Sequence, residues 1–132
     1  LGKAAVKRAR KDGIKAGLLR PRFLRPFPDS DIRNALKGKK AVAVIDQNIS
    51  VGKGGIIYSE IASCLYKEKD RPLLLSFIGG LGGKNISQEE FDLIFDKMIS
   101  AEYPGIVGLP HLLYTKKEWE GMKRLKEIAG RQ

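Results

Sequence analysis

Two clusters of residues in this chain have the types and spacing that hold an anion. Asp46, Asn48 and Gly52 follow the apolar run Ala41-Val42-Ala43-Val44-Ile45, and Gly79, Gly80, Gly82 and Gly83 follow the run Leu73 to Ile78. Glycines after a strand let the backbone turn sharply, and the helix that comes next presents free N–H groups at its positive end. α/β proteins cradle phosphate in that way. The details of the loops are weaker than their placement. Three residues, not four, separate Gly79 from Gly83, and Asn85 stands where a P-loop has Ser or Thr. Asn85 also fills the sixth position of a dinucleotide fingerprint counted from Gly80, where glycine is required. The competing reading is that these glycines serve positive φ, or close approach to a neighbouring loop or subunit. Asp46 is then a cap or loop organiser, with a catalytic role as the minority alternative.

The remaining reactive side chains form no set. His111 is the single histidine and lies in a Pro-rich loop, without a second one to share a metal. Cys64, the single cysteine, falls on the apolar stripe of a helix and reads as core. Ser50, Ser59 and Ser76 have no histidine and acid in a recognisable relation to them. The adjacent acids Glu89 and Glu90 are explained by a helix start. No catalytic residue and no metal ligand is therefore assigned. The cofactor-binding candidates are limited to the loop residues Asp46, Asn48, Gly52, Gly79, Gly80, Gly82 and Gly83. The reacting groups are expected on another domain or chain.

The elements that position these loops can be read along the chain. Lys3 to Lys11 is a helix rich in alanine, ended by Asp12-Gly13. Ile14 to Leu24 reads as a strand, at an edge or broken at Pro21. Arg25-Pro26-Phe27-Pro28 is a stiff turn, and Asp29 or Ser30 caps a short helix from Asp31 to Lys37. Lys40 to Ile45 and Leu73 to Ile78 are continuous apolar runs of the kind found in strands covered on both faces. Between them Ile56 to Lys67 carries Ile57, Ile61, Cys64 and Leu65 at helical spacing. Ser87-Gln88-Glu89-Glu90 is a capping box, opening a helix to about Ser100 with Phe91, Ile94, Phe95 and Met98 inward. After Tyr103-Pro104 the pattern fades until a last helix, Lys116 to Ala129. Alternating strands and helices imply an α/β fold, a parallel sheet with helices on both faces. Its carboxyl end would carry the loops Arg25 to Asp29, Asp46 to Gly55 and Gly79 to Ser87.

Composition narrows the class. The chain has 132 residues, enough for one domain with a real core. One cysteine excludes an internal disulfide and any four-Cys cluster site. No apolar run approaches the roughly 20 residues that span a bilayer. These features point to a reducing compartment, most simply the cytoplasm. The net charge is +10, and all of it belongs to residues 1–40, which hold thirteen Lys/Arg against three acids. That segment reads as a solvated surface, or as a patch for nucleic acid or an acidic partner. Only Phe23 and Phe27 are interleaved with its cations, so no base-stacking platform is visible and nucleic acid is disfavoured. A first residue that is not Met, in a helix with no N-cap, leads to the expectation of a missing upstream domain. The expected division is a leading helix or linker at 1–13, an α/β domain at 14–103, and an extension at 104–132 packing on the domain or a partner.

Three strings taken together resemble a known family. They are Leu24-Arg25-Pro26-Phe27-Pro28, Ala43-Val44-Ile45-Asp46 with Asn48 to Gly55, and Phe77-Ile78-Gly79-Gly80-Leu81-Gly82-Gly83-Lys84-Asn85-Ile86. The likeness is to the C-terminal part of the alpha subunit of pyruvate:ferredoxin oxidoreductase (pyruvate synthase), from about Val6 to Met98. Gln47 stands where the family usually has a basic residue, and Lys84-Asn85 where it has Arg-Asp. The resemblance implies a transketolase C-terminal-type domain. It implies a parent complex that decarboxylates a 2-oxoacid on thiamine diphosphate with Mg. That complex would pass electrons through [4Fe–4S] clusters to ferredoxin and deliver the acyl group to coenzyme A. Other domains and subunits of the same complex are the implied partners, and the cofactors are expected there, with none in this chain. This chain would be a structural part. The rival is a free-standing flavodoxin-like module binding a phosphate-bearing ligand or nucleic acid.

Overall fold

The computed structural model describes residues 1–100 and 110–130. Its elements are α1 (Gly2–Lys11), α2 (Asp29–Leu36), β1 (Ala41–Asp46), α3 (Ile56–Leu65), β2 (Leu73–Ile78), α4 (Gln88–Ser100), β3 (His111–Leu112) and α5 (Lys116–Ala129). A short 3-10 turn spans Leu81–Gly83. The three strands form one parallel sheet in the order β1-β2-β3, with Ala41 opposite Leu73 and Phe77 opposite His111.

Alternation along the strands builds a core on each face. Leu75 and Phe77 point to one side, where they pack with Ala5 of α1, Phe91 and Ile94 of α4, and Leu113. Val44, Val42 and Leu74 point to the other side, against Ile32 and Leu36 of α2 and Ile61, Cys64 and Leu65 of α3. The apolar runs at 40–45 and 73–78 therefore pair as parallel strands with helices on both faces, the α/β layering that the sequence implies. Phe77 is fully buried, and burial of such a side chain contributes about 1.5–3 kcal/mol.

Residues 14–24 are a correction: they form no strand. Ala16 N donates to Ile14 O at 2.8 Å, and Arg10 Nε donates to Ala16 O at 2.7 Å, so local bonds take backbone groups that a ladder needs. Leu18, Leu19, Phe23 and Leu24 are exposed. With that strand absent, the loop from Arg25 to Asp29 follows irregular chain instead of a sheet edge, and Arg25 Nη2 pairs with Glu60 Oε1 of α3 at 2.6 Å. The sheet gains a strand elsewhere: His111–Leu112 lies beside β2, in a region without strand periodicity. The expected domain limit at 103/104 lies outside the described residues. No described helix is long and apolar enough to cross a membrane.

Candidate functional site

The loops at the carboxyl ends of β1 and β2 lie side by side, since Asp46 is opposite Ile78 and Gly79 N donates to Asp46 O at 3.0 Å. Asp46 ends β1 with 1% exposure. Its Oδ1 accepts from Ile57 N at 2.9 Å and its Oδ2 from Tyr58 N at 3.1 Å. Asn48 Oδ1 accepts from Ile56 N at 3.1 Å. The first three N–H groups of α3, the ones an anion would use, therefore have internal acceptors. A carboxylate at this helix start also places negative charge where a phosphate would add its own.

The approach of Asp46 explains Gly55. A Cβ built on Gly55 would lie 1.9 Å from Asp46 Oδ2, so any side chain there displaces the cap. Gly80 has φ +73, and a Cβ on it would lie 2.7 Å from Gln47 Nε2. Gly79 packs under Leu113, whose Cδ1 would meet a Cβ at 2.7 Å. Gly52, Gly82 and Gly83 have positive φ and open space around them. The predicted candidates thus divide: Asp46, Asn48, Gly79 and Gly80 knit the loops together inside the fold, and Gly52, Gly82 and Gly83 turn the chain at its surface. In the intervening loop Ser50 N donates to Gly54 O at 2.6 Å, which leaves Val51 fully exposed at the tip.

One polar cluster centres on Lys84, which the sequence marks only as a departure from the Arg of the resembling family. Lys84 Nζ lies 2.9 Å from Glu90 Oε1 and 2.6 Å from Glu118 Oε2. Glu90 belongs to the expected capping box: Ser87 N donates to its Oε2 at 2.7 Å, and Glu90 N donates to Ser87 Oγ at 3.3 Å. Glu118 belongs to a second box, in which Thr115 N donates to Glu118 Oε2 at 2.7 Å and Glu118 N to Thr115 Oγ1 at 3.3 Å. The lysine bridges the caps of α4 and α5. Burial pushes the Glu90 carboxyl up, but the Lys84 ammonium and the Ser87 donors outweigh it and leave it below the ordinary range. Lys84, Thr115 N–H and Thr115 hydroxyl hold exposed Glu118 down to about 2. Glu118, then Glu90, push the Lys84 ammonium up. The signal for this cluster was present as Thr115-Lys116-Lys117-Glu118, a second box of the same form as Ser87 to Glu90.

The His111 ring lies tilted at 33° against Phe77, with centroids 5.3 Å apart, and burial with the nearby Lys97 charge pushes its imidazole down. Cys64 Sγ donates to Asp29 O at 3.3 Å, tying α3 to the start of α2, and burial pushes its thiol up. Among the described residues no group of three or more His, Cys, Asp or Glu is placed to hold a metal ion. The arrangement can brace loops and dock helices. Among the described residues it brings together no nucleophile, base and orienting group.

Residues 2–91 match the family profile described as pyruvate:ferredoxin oxidoreductase core domain II. The chain is also similar to ketoisovalerate oxidoreductase subunit VorA of Pyrococcus abyssi, 33% identical over 92% of this chain and 29% of the relative. It is 33% identical to pyruvate synthase subunit PorA of the same organism, over 86% of this chain and 29% of the relative. Pyruvate synthase subunit PorA of Thermotoga maritima is 36% identical over 74% of this chain and 25% of the relative. The chain thus spans less than a third of the length of these relatives.

Proposed function

This chain belongs to the pyruvate:ferredoxin oxidoreductase core domain II family, and we propose that it is the structural core of that domain within a 2-oxoacid:ferredoxin oxidoreductase alpha subunit. The parent enzyme decarboxylates pyruvate, transfers the acetyl group to coenzyme A, and delivers the two electrons released to ferredoxin. Thiamine diphosphate, Mg and [4Fe–4S] clusters supply that chemistry from other domains or subunits in the cytoplasm. The coverage of the relatives, under a third, supports a domain that works inside a larger subunit.

The observation that carries the structural role is the occupation of α3's first-turn donors by Asp46 and Asn48. The start of α3 is a poor seat for a diphosphate, because its ready-made donors are spent on the chain's own carboxylate and amide. The order β1-β2-β3 supports the same reading, since among the described residues it has no reversal to open a crevice for a ligand. The rival phosphate-binding module meets the same obstacle at α3.

The test is ferredoxin reduction by the assembled oxidoreductase, with pyruvate and 2-oxoisovalerate compared at equal concentration in the presence of coenzyme A. Faster reduction with pyruvate is expected. Faster reduction with 2-oxoisovalerate would reassign the substrate, and no reduction with either would remove the enzyme reading. A polypeptide of these residues alone should bind thiamine diphosphate with Kd above about 1 mM by calorimetry. Micromolar binding would show that the loops are a site after all.

A further inference from the structure

We propose that the groove between α1 and the segment that follows it docks an acidic, amphipathic protein segment. The groove has a volume of about 500 Å³ and is lined by Lys3, Val6, Lys7, Arg10, Lys11 and Leu18. Its walls are preformed. Ala5 and Ala9 bury the opposite face of α1, and Arg8 pairs with Asp92 of α4. The returning segment is stapled to the helix by Ile14 N to Ala9 O at 2.9 Å and Arg10 Nε to Ala16 O at 2.7 Å. Leu18 reaches back over the helix start, its Cδ1 3.4 Å from where a Cβ on Gly2 would stand. Yet Leu18 remains 47% exposed.

Arg10 and Lys11 suit the negative end of the α1 dipole, but the lysine row along the helix works against its stability. Lys3, Lys7 and Lys11 form one row at i, i+4 and i+8, where like charges repel. Lys3 also lies in the first turn, at the positive end of the dipole, and that turn holds no acid. Among the described residues no carboxylate lies within 4.0 Å of Lys3, Lys7, Arg10 or Lys11. An apolar floor, Val6 and Leu18, runs between cations that no described carboxylate neutralises. Carboxylates on a partner relieve the repulsion, and apolar side chains on the same partner cover the floor. A plain polyanion would satisfy only the first demand, and so would an RNA backbone, because no aromatic ring lines the groove for bases to stack on. This surface stands independently of the oxidoreductase reading.

The test compares three probes against the 132-residue polypeptide by fluorescence anisotropy. They are a peptide of about 20 residues with Glu and Asp on one helical face and Leu and Phe on the other, polyglutamate of equal charge, and poly(U) of equal charge. The amphipathic peptide should bind at least about tenfold more tightly than either other probe, and its affinity should fall as salt rises. Lys7→Glu should weaken it at least about tenfold while raising the melting temperature, because a carboxylate at that position would pair with both Lys3 and Lys11. Leu18→Ser should weaken the peptide without changing polyglutamate binding. A preference under tenfold, tighter binding of poly(U), or indifference to either substitution overturns the proposal.

Discussion

The Lys84 ammonium lies 2.6 Å from Glu118 Oε2, a carboxylate thirty-four positions further along the chain. Through that contact α5 is fastened to the start of α4, where Lys84 also meets buried Glu90. Lys84→Gln removes the cation from both. Glu90 keeps its Ser87 donors but loses its charge partner, and an under-satisfied buried carboxylate costs about 1–3 kcal/mol. Urea unfolding should show a lower midpoint for Lys84→Gln at neutral pH. An unchanged midpoint would mean that the bridge contributes nothing.

Acid should release α5 late. The folded Glu118 carboxyl is held down to about 2, below its ordinary value of 4.5. Its contribution is therefore present above pH 4.5 and is lost as pH falls from there through about 2. Trp119, the single tryptophan, stacks on Tyr114 at 5.2 Å and reports on this end of α5. Its fluorescence should change with a midpoint near the bottom of that window. In Lys84→Gln the midpoint should rise toward the ordinary carboxylate range. Coincident midpoints in the two proteins would refute the assignment.

Asp46 and Gly55 should behave as one unit. Asp46→Ala removes the acceptor for two first-turn donors of α3, a loss of about 1–2 kcal/mol. Gly55→Ala drives a methyl into the carboxylate, and such overpacking costs about 1–3 kcal/mol. With the carboxylate gone the two shortest contacts vanish and only the Cβ of residue 46 stays close, at 2.5 Å, so the double variant should be more stable than the sum of the two single losses implies. Denaturant titrations of all four proteins give the coupling, and strict additivity would contradict the geometry.

Cys64 should resist alkylation until the protein unfolds. It is 7% exposed, its thiol donates to Asp29 O, and burial pushes its ionisation up. The thiolate is the reacting form. Iodoacetamide labelling followed by mass spectrometry should be slow in buffer and fast above the unfolding midpoint of urea. Equal rates would place the thiol in solvent.

Residues 41–100 were legible because their signals are local and agree. Val42, Val44 and Ile45 favour a strand, Leu73 to Ile78 another, and Ser87 with Glu90 announces a helix start in four residues. Residues 14–24 misled because Leu18, Leu19, Phe23 and Leu24 look like strand residues but stay at the surface. β3 escaped notice because two residues beside β2 carry no period of their own. At the candidate site, the capping role of Asp46 was one of the readings left open. What decided it, the fit of Asp46 against Gly55, is a tertiary contact between residues nine apart that spacing does not reveal. The bridging role of Lys84 is hidden for the same reason, since its two glutamates meet only when α4 and α5 are docked.

β1 stands at one margin of the sheet, and among the described residues no strand pairs with its outer rim. Its sequence, Ala-Val-Ala-Val-Ile-Asp, has five apolar residues and a single charge at its end. An uncovered ribbon of that kind is a template for aggregation. Solubility of the 132-residue polypeptide should therefore fall steeply with concentration, and a partner that pairs with or covers this rim should restore it.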